Sequence, residues 1–334
     1  MIRRTSRWQL SALFFLLLLG LVAPLPYVLV EPGTPTNLFA TVKKKEVLEI
    51  VGKQSYPTSG ALNLTSIWVT SPGSRLQSFE LIQAWIDGER AVQPREVFYP
   101  RGIDPKKVNQ ENVAEMKVSQ QSAQLAALNY LDIKYSTVLL VKGFSEGSPN
   151  SQIVRIGDQI MTFQNQEVKS SADLRKRVQE STSDQLMLGV LRNGKKLSLP
   201  ITKNGDILGL LIADEYRLPF SVKIRLKDIG GPSAGLIFAL AIIDKLSRED
   251  LVQERNIAGT GTITPSGEVG PIGGIEEKLI GAAREGATLF LAPSLNCPEI
   301  RHIPRGLRVV PVDTLAEAVS ALRERDTERL PICG

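Results

Sequence analysis

The chain has 334 residues, 43% of them hydrophobic and 22% charged, with a formal net charge of +5. This is ordinary globular material, enough for about two domains with real cores. A single histidine and two cysteines argue against a zinc site, which needs three or four protein ligands, and against a disulfide framework. The basic residues are spread along the chain without interleaved aromatics, so no nucleic-acid partner is expected.

Leu10–Val30 runs for 21 residues without a charge. As a helix it would reach about 30 Å, the thickness of a bilayer's hydrocarbon core. Arg3, Arg4 and Arg7 precede it, which predicts a cytoplasmic stub (1–9), a retained transmembrane anchor (10–30) and the remaining chain on the extracytoplasmic side of the cell membrane. A cleavable signal peptide is the alternative. Its best cleavage site, Leu21-Val22-Ala23 before Pro24, fits poorly. Residues 31–45 read as a linker. Strands are expected around Glu46–Gly52 and Leu62–Thr70. A helix is expected over Asp104–Asn129, with Asp104-Pro105 as N-cap and first helical residue.

From Val138 onward the pattern is strand, turn at Gly147-Ser148-Pro149, strand with a turn at Asn165-Gln166, helix capped by Ser170 or Ser171, and hairpin through Asn193-Gly194. With Gly157-Asp158-Gln159-Ile160, Val168 and Asp173-Leu174, this order resembles a PDZ domain of the bacterial protease type over residues 132–202. Such a module takes an extended peptide on a sheet edge. The Gly-rich loop expected before Val138, which would hold a peptide carboxylate, is absent from "LDIKYST". "GVLRNGKK" (Gly189–Lys196) imitates a phosphate-binding loop, but Lys196 stands where Ser or Thr should hold Mg²⁺ and the context is a hairpin. No ATPase signature and no cofactor site is expected.

"FSVKIRLKDIGGPSAGLIFALAIID" reads as strand, Gly-rich loop and helix, with Ser233 at the helix start. A helix N-terminus offers unpaired N–H groups and a positive dipole end to an oxyanion. Gly231, Pro232 and Ala234 are the backbone candidates around it, and the small neighbours leave room for a substrate. Serine needs a base. The pattern Gly231-x-Ser233-x-Gly235 also matches the α/β-hydrolase elbow, whose histidine could only be His302, in a Pro-rich loop. The other candidate is Lys278. It falls on the apolar stripe Ile275, Leu279, Ala282 and Ala283 of a helix expected from about Gly274 to Gly286. Burial there would lower its pKa, although by position alone a packed stem with a solvent-reaching amine is the simpler reading.

Together, "GPSAG" and "GTGTITPSGEVGPIGGIEEKLIGAAREGA" (Gly259–Ala287) resemble the nucleophile and lysine regions of the Lon family of serine proteases. The resemblance implies a dyad of Ser233 as nucleophile and Lys278 as general base, with Thr260 orienting the amine. Thr262 stands where the family has an acidic residue, and Ile229-Gly230 where it has an Asp before "GPSAG". "SGALNLTSIWV" and "AEMKVSQQSAQLAAL" extend the likeness upstream. The fold expected is α+β: a Lon-type proteolytic domain in two parts (46–131 and 203–330) with the PDZ-like domain inserted and one N-terminal transmembrane helix. The whole resembles membrane-anchored, PDZ-containing Lon-like proteases of bacteria. It implies ATP-independent cleavage of extracytoplasmic protein or peptide substrates, peptide binding at the PDZ-like domain and a ring-shaped homo-oligomer, a hexamer. A catalytically silent PDZ scaffold and a His302 esterase are the rival readings.

Overall fold

A computed structural model describes residues 25–333 except 75, 184, 227 and 228, together with 8, 11, 12 and 14–16 of the amino-terminal stretch. Two units emerge: residues 1–133 with 220–334, and residues 134–219.

The first unit opens with β1 (Tyr27–Pro32), β2 (Thr36–Asn37), β3 (Leu48–Val51), β4 (Ala61–Leu64), β5 (Ile67–Val69) and β6 (Ala91–Pro94), together with two helices of functional weight. One, α1 (Ser78–Asp87), lies before β6; the other, α2 (Pro105–Tyr130), follows it. Asp104 caps α2 by accepting from the Lys106 N–H at 2.9 Å, with Pro105 as the first helical residue. β1 sits between β5 and β6, antiparallel to both.

This overturns two boundaries. The apolar run does not continue as a helix to Val30: Val28, Leu29 and Val30 are buried in β1. Pro24 and Pro26 deny a helix its hydrogen bonds there, and the β-branched valines favour a strand. Nor is 31–45 a linker: β2 pairs with β4, and Leu38 is fully buried with its N–H on the Leu62 carbonyl. Among the described residues no helix is long and apolar enough to cross a membrane. Ten of the 21 positions of the expected anchor, 10, 13 and 17–24, lie outside them.

The second unit contains β7 (Ser136–Phe144), β8 (Gln159–Phe163), helix α3 (Ser171–Glu180), β9 (Gln185–Arg192), β10 (Lys195–Thr202) and β11 (Leu210–Arg217). Its sheet order is β10-β9-β8-β7-β11. Ser170 caps α3 by accepting from the Asp173 N–H. Asn193 and Gly194 both take positive φ, as a tight two-residue hairpin demands, so the phosphate-loop imitation is a hairpin turn. The unit extends past residue 202, because β11 pairs with β7 from Leu210↔Phe144 to Arg217↔Ser136. Gly209, at φ +68°, opens that strand.

The chain then returns to the first unit with β12 (Ser221–Ile224), paired to β3. Helix α4 (Gly235–Leu246), β13 (Asn256–Gly259), β14 (Thr262–Ile263), β15 (Val269–Gly270), α5 (Ile275–Arg284), β16 (Leu289–Pro293), β17 (Arg308–Val312) and α6 (Leu315–Arg323) follow. A five-stranded sheet in the order β2-β4-β13-β16-β17 forms the centre, parallel throughout except for β2. The unit is therefore mixed α/β rather than α+β with segregated helices. Parallel strands are covered on both faces, which is why all five residues of β16 are buried. Ten of the twelve residues of α4 are apolar or Gly, and the first eleven are buried, as a helix through a core must be.

Candidate active site

Ser233 stands in the turn just ahead of α4, two residues before its first helical residue, Gly235. The helix thus starts slightly later than the sequence pattern indicates, and Ser233 faces the site from the turn itself. Gly231, at φ +83°, makes that turn possible. Its N–H donates to the Asn112 carbonyl of α2 at 3.0 Å. A Cβ on Gly230 would come within 2.9 Å of Asn112 Cβ, so the loop lies directly on α2. Seven residues further along α2, Ser119 Oγ donates to the Pro232 carbonyl at 2.8 Å.

From the other side the Ser233 carbonyl accepts from the Gly261 N–H at 2.8 Å and from Thr260 Oγ1 at 3.0 Å. Two of the proposed oxyanion donors are removed by this geometry. The Gly231 N–H is already committed to Asn112, and Pro232 has no N–H to give.

Lys278 comes from α5. Gly274, in the left-handed conformation, turns the chain into that helix. Ile275, Lys278, Leu279 and Ala282 are buried on its inner face. Gly281 lets the helix approach β1 closely: a Cβ there would lie 2.6 Å from the Gly33 carbonyl oxygen. The amine does not reach solvent. Lys278 is 2% exposed, with Nζ 3.0 Å from Ser233 Oγ and 2.9 Å from Thr260 Oγ1. Burial pushes its pKa down from 10.5 to about 7, against the weaker pull of the neighbouring Glu277 carboxylate. Burial in turn raises Glu277.

The protons can be placed by counting. Thr260 has one hydroxyl hydrogen and spends it on the Ser233 carbonyl, so it must accept from Lys278. A neutral amine has two hydrogens and one lone pair. With an N–H given to Thr260, the lone pair is free to face Ser233 Oγ. Thr260, itself fully buried, therefore fixes both the serine backbone and the direction in which the amine can accept.

Ser233 opens on a cavity of about 320 Å³ lined by Pro232, Ser233, Thr262, Pro271, Ile272 and Gly273. Among the described residues no charged side chain lines it. His302 is exposed in a loop; the side chain bonded to Ser233 Oγ is Lys278. Among the described residues no group of three or more His, Cys, Asp or Glu side chains could hold a metal ion.

Residues 227–323 match the model of the Lon protease (S16) C-terminal proteolytic domain. The chain carries a Lon-type proteolytic domain. Among similar proteins, Lon protease 2 of Herpetosiphon aurantiacus is 39% identical over 93 residues, covering 27% of this chain and 11% of that protein. Lon protease 1 of Myxococcus xanthus is 38% identical over 109 residues, 30% of this chain and 13% of its own. For Lon protease of Heliobacterium modesticaldum the figures are 37% over 129 residues, 36% and 15%. The matches thus span well under a fifth of those relatives' length. Ser233 and Lys278 both lie in the matched segment.

Two residues that build this site escape a reading of motifs alone: Asn112 and Ser119. Ser119 does leave a signal. It lies on the stripe that buries Met116 and Ala123, three residues back and four ahead, and a polar residue there needs a partner. Replacing Ser119 by alanine is expected to cost about 1 kcal/mol of stability, the worth of one hydrogen bond, and to slow phosphonylation of Ser233 by a fluorophosphonate probe. Unchanged labelling kinetics would show that the Gly231–Asn112 bond and the bonds to the Ser233 carbonyl hold the loop without Ser119.

Proposed function

We propose that this chain is an ATP-independent serine endopeptidase held at the membrane by its N-terminal apolar run, with the catalytic part outside the cytoplasm. The observation that carries the activity is the buried Lys278 amine, 3.0 Å from Ser233 Oγ with its pKa drawn down to about 7. Ser233 Oγ attacks the peptide carbonyl as its proton passes to Lys278 Nζ. The N–H groups of Ser233 and Ala234, next to the α4 N-terminus, receive the oxyanion. Lys278 returns the proton to the departing amine, then takes one from the water that releases the acyl group.

Support for the outward orientation comes from the Cys297–Cys333 disulfide, since such bonds persist in oxidising compartments, and from Arg3, Arg4 and Arg7 ahead of the apolar run. For the second unit we propose a PDZ-like role. β11 is an edge strand, and beside it and α3 lies a cavity of about 240 Å³ lined by Leu174, Arg175, Val178, Leu208, Leu210 and Ile212 among others. An extended peptide added to that edge would bring a terminal carboxylate to the loop at Gly209, rather than to the stretch before Val138. The ring-shaped assembly implied by the family resemblance belongs to the same proposal.

Labelling by a fluorophosphonate without ATP tests the activity. Wild type should label and Ser233→Ala should not. A wild type that neither labels nor cleaves an unfolded protein would leave the scaffold reading in its place.

A further inference from the structure

Helix α1 is apolar on more of its surface than the fold uses. Leu81 and Ala84 point inward and pack with Leu29, Leu76 and Val92. On the outer side Phe79, Ile82 and Ile86 recur at spacings of three and four, a single face. Trp85 flanks them. These four are 48%, 46%, 81% and 75% exposed, Phe79, Ile82, Ile86 and Trp85 respectively. Glu80, Gln83 and Asp87 are confined to one narrow strip, where Glu80 caps Gln77 and Asp87 pairs with Arg90. Four large apolar side chains on one short helix form a patch that needs an explanation.

The position of the helix supplies one. The fifteen residues Leu10–Pro24 carry no charge. The described chain resumes at Leu25, whose N–H donates to the Leu76 carbonyl at 3.0 Å, two residues ahead of α1. Leu25 also packs against the Leu29, Leu76, Leu81 and Ala84 cluster beneath the helix. The apolar run therefore ends at the foot of α1, and a bilayer that received the run would meet this helix first. An aromatic and aliphatic face with tryptophan at its edge is the composition that settles at a membrane–water interface.

We propose that α1 lies on the bilayer surface with Phe79, Ile82, Trp85 and Ile86 in the headgroup and upper acyl-chain region, docking the proteolytic unit onto the membrane. This rests on the reading of the apolar run as an anchor. The strip of Glu80 and Asp87 makes a zwitterionic lipid surface the matching partner.

The test uses the full chain with Trp8→Phe and Trp68→Phe, leaving Trp85 as its one tryptophan, in phosphatidylcholine nanodiscs. The protein is expected to co-elute with the discs. Trp85 emission should shift to shorter wavelength, be quenched by phosphatidylcholine brominated near the top of its acyl chains, and resist aqueous iodide. Ile82→Glu with Ile86→Glu, both at exposed positions, should abolish the bromolipid quenching while co-elution and fluorophosphonate labelling persist. Co-elution with Trp85 open to iodide overturns the docking of α1 and leaves the anchor standing. Trp85 shielded from iodide but not quenched by bromolipid also overturns it, and assigns the face to a second copy of the chain. A protein that does not co-elute overturns both the anchor and the docking.

Discussion

Lys278→Met is expected to lower kcat by about 10²–10⁴-fold, the usual worth of general acid–base catalysis, with KM little changed. Methionine keeps a long flexible stem in the packed site and removes only the amine, so the loss should appear in the chemical step. Ser233→Ala should remove activity and probe labelling together, while His302→Ala should leave both intact. The reverse pattern, with His302 essential and Lys278 dispensable, would sink the dyad. The wild-type pH profile adds an independent readout. With Lys278 at about 7, kcat/KM should climb through neutral pH to a plateau as the amine loses its proton.

Stability should change with pH in the same region. The Lys278 pKa is 10.5 in the unfolded chain and about 7 in the fold. Between those values the unfolded state binds more protons, so stability rises with pH across that window. Asp244 acts in the opposite sense. Burial raises it from 3.8 to about 7 although its Oδ1 accepts from the Leu251 N–H at 2.6 Å; its Oδ2 has no partner among the described residues. The native state then holds a proton that the unfolded state has lost, and stability falls from about pH 4 to about pH 7. Asp244→Asn separates the two. It should flatten the acid slope and leave the activity limb in place, since Asp244 lies on α4 away from the Lys278–Thr260–Ser233 bonds. An activity limb lost in Asp244→Asn would assign that limb to the fold instead of the base.

Removing the Cys297–Cys333 bond is expected to cost about 2–5 kcal/mol. The bond spans 36 residues that include β17 and α6, so its loss frees a long loop in the unfolded chain. It also releases the C-terminal end from the core. Cys333 is 3% exposed among Phe290, Leu307 and Val309, and its N–H is bonded to the Val309 carbonyl. Urea unfolding of wild type with and without reductant, and of Cys297→Ala with Cys333→Ala, measures the effect. Coincident midpoints for all three would show that the tail is held by packing alone.

Much of this protein is legible in one dimension because the signals are local. Asp104-Pro105 starts a helix wherever the following residues allow it. Asn193-Gly194 turns a hairpin because both can take positive φ. Lys278 shares a stripe with Ile275 and Leu279 because a helix repeats every 3.6 residues. Ser233 and Lys278 stand out by motif and helical position, while their pairing and the part of Thr260 come from the resemblance to the Lon family. What spacing left open was whether the Lys278 amine reaches water. Only packing decides that: in the fold Lys278 is 2% exposed, on a helix that Gly281 brings close to Gly33.

The failures have a common origin as well. Tyr27–Val30 is as apolar as the run before it, and nothing local says that it will pair with Ile67–Val69 and Ala91–Pro94. β11 joins the second unit through β7, more than sixty residues earlier in the chain. The Asn112 and Ser119 contacts reach the nucleophile loop across more than a hundred residues of sequence. Composition and periodicity thus determined the helices and the tight turns, each set by neighbours in the chain, while the catalytic candidates were named by motifs that resemble a known family. Strand partnership, the burial that lowers the Lys278 pKa and the props under Ser233 were decided only by the tertiary structure, because each depends on groups that meet only when the chain has closed on itself.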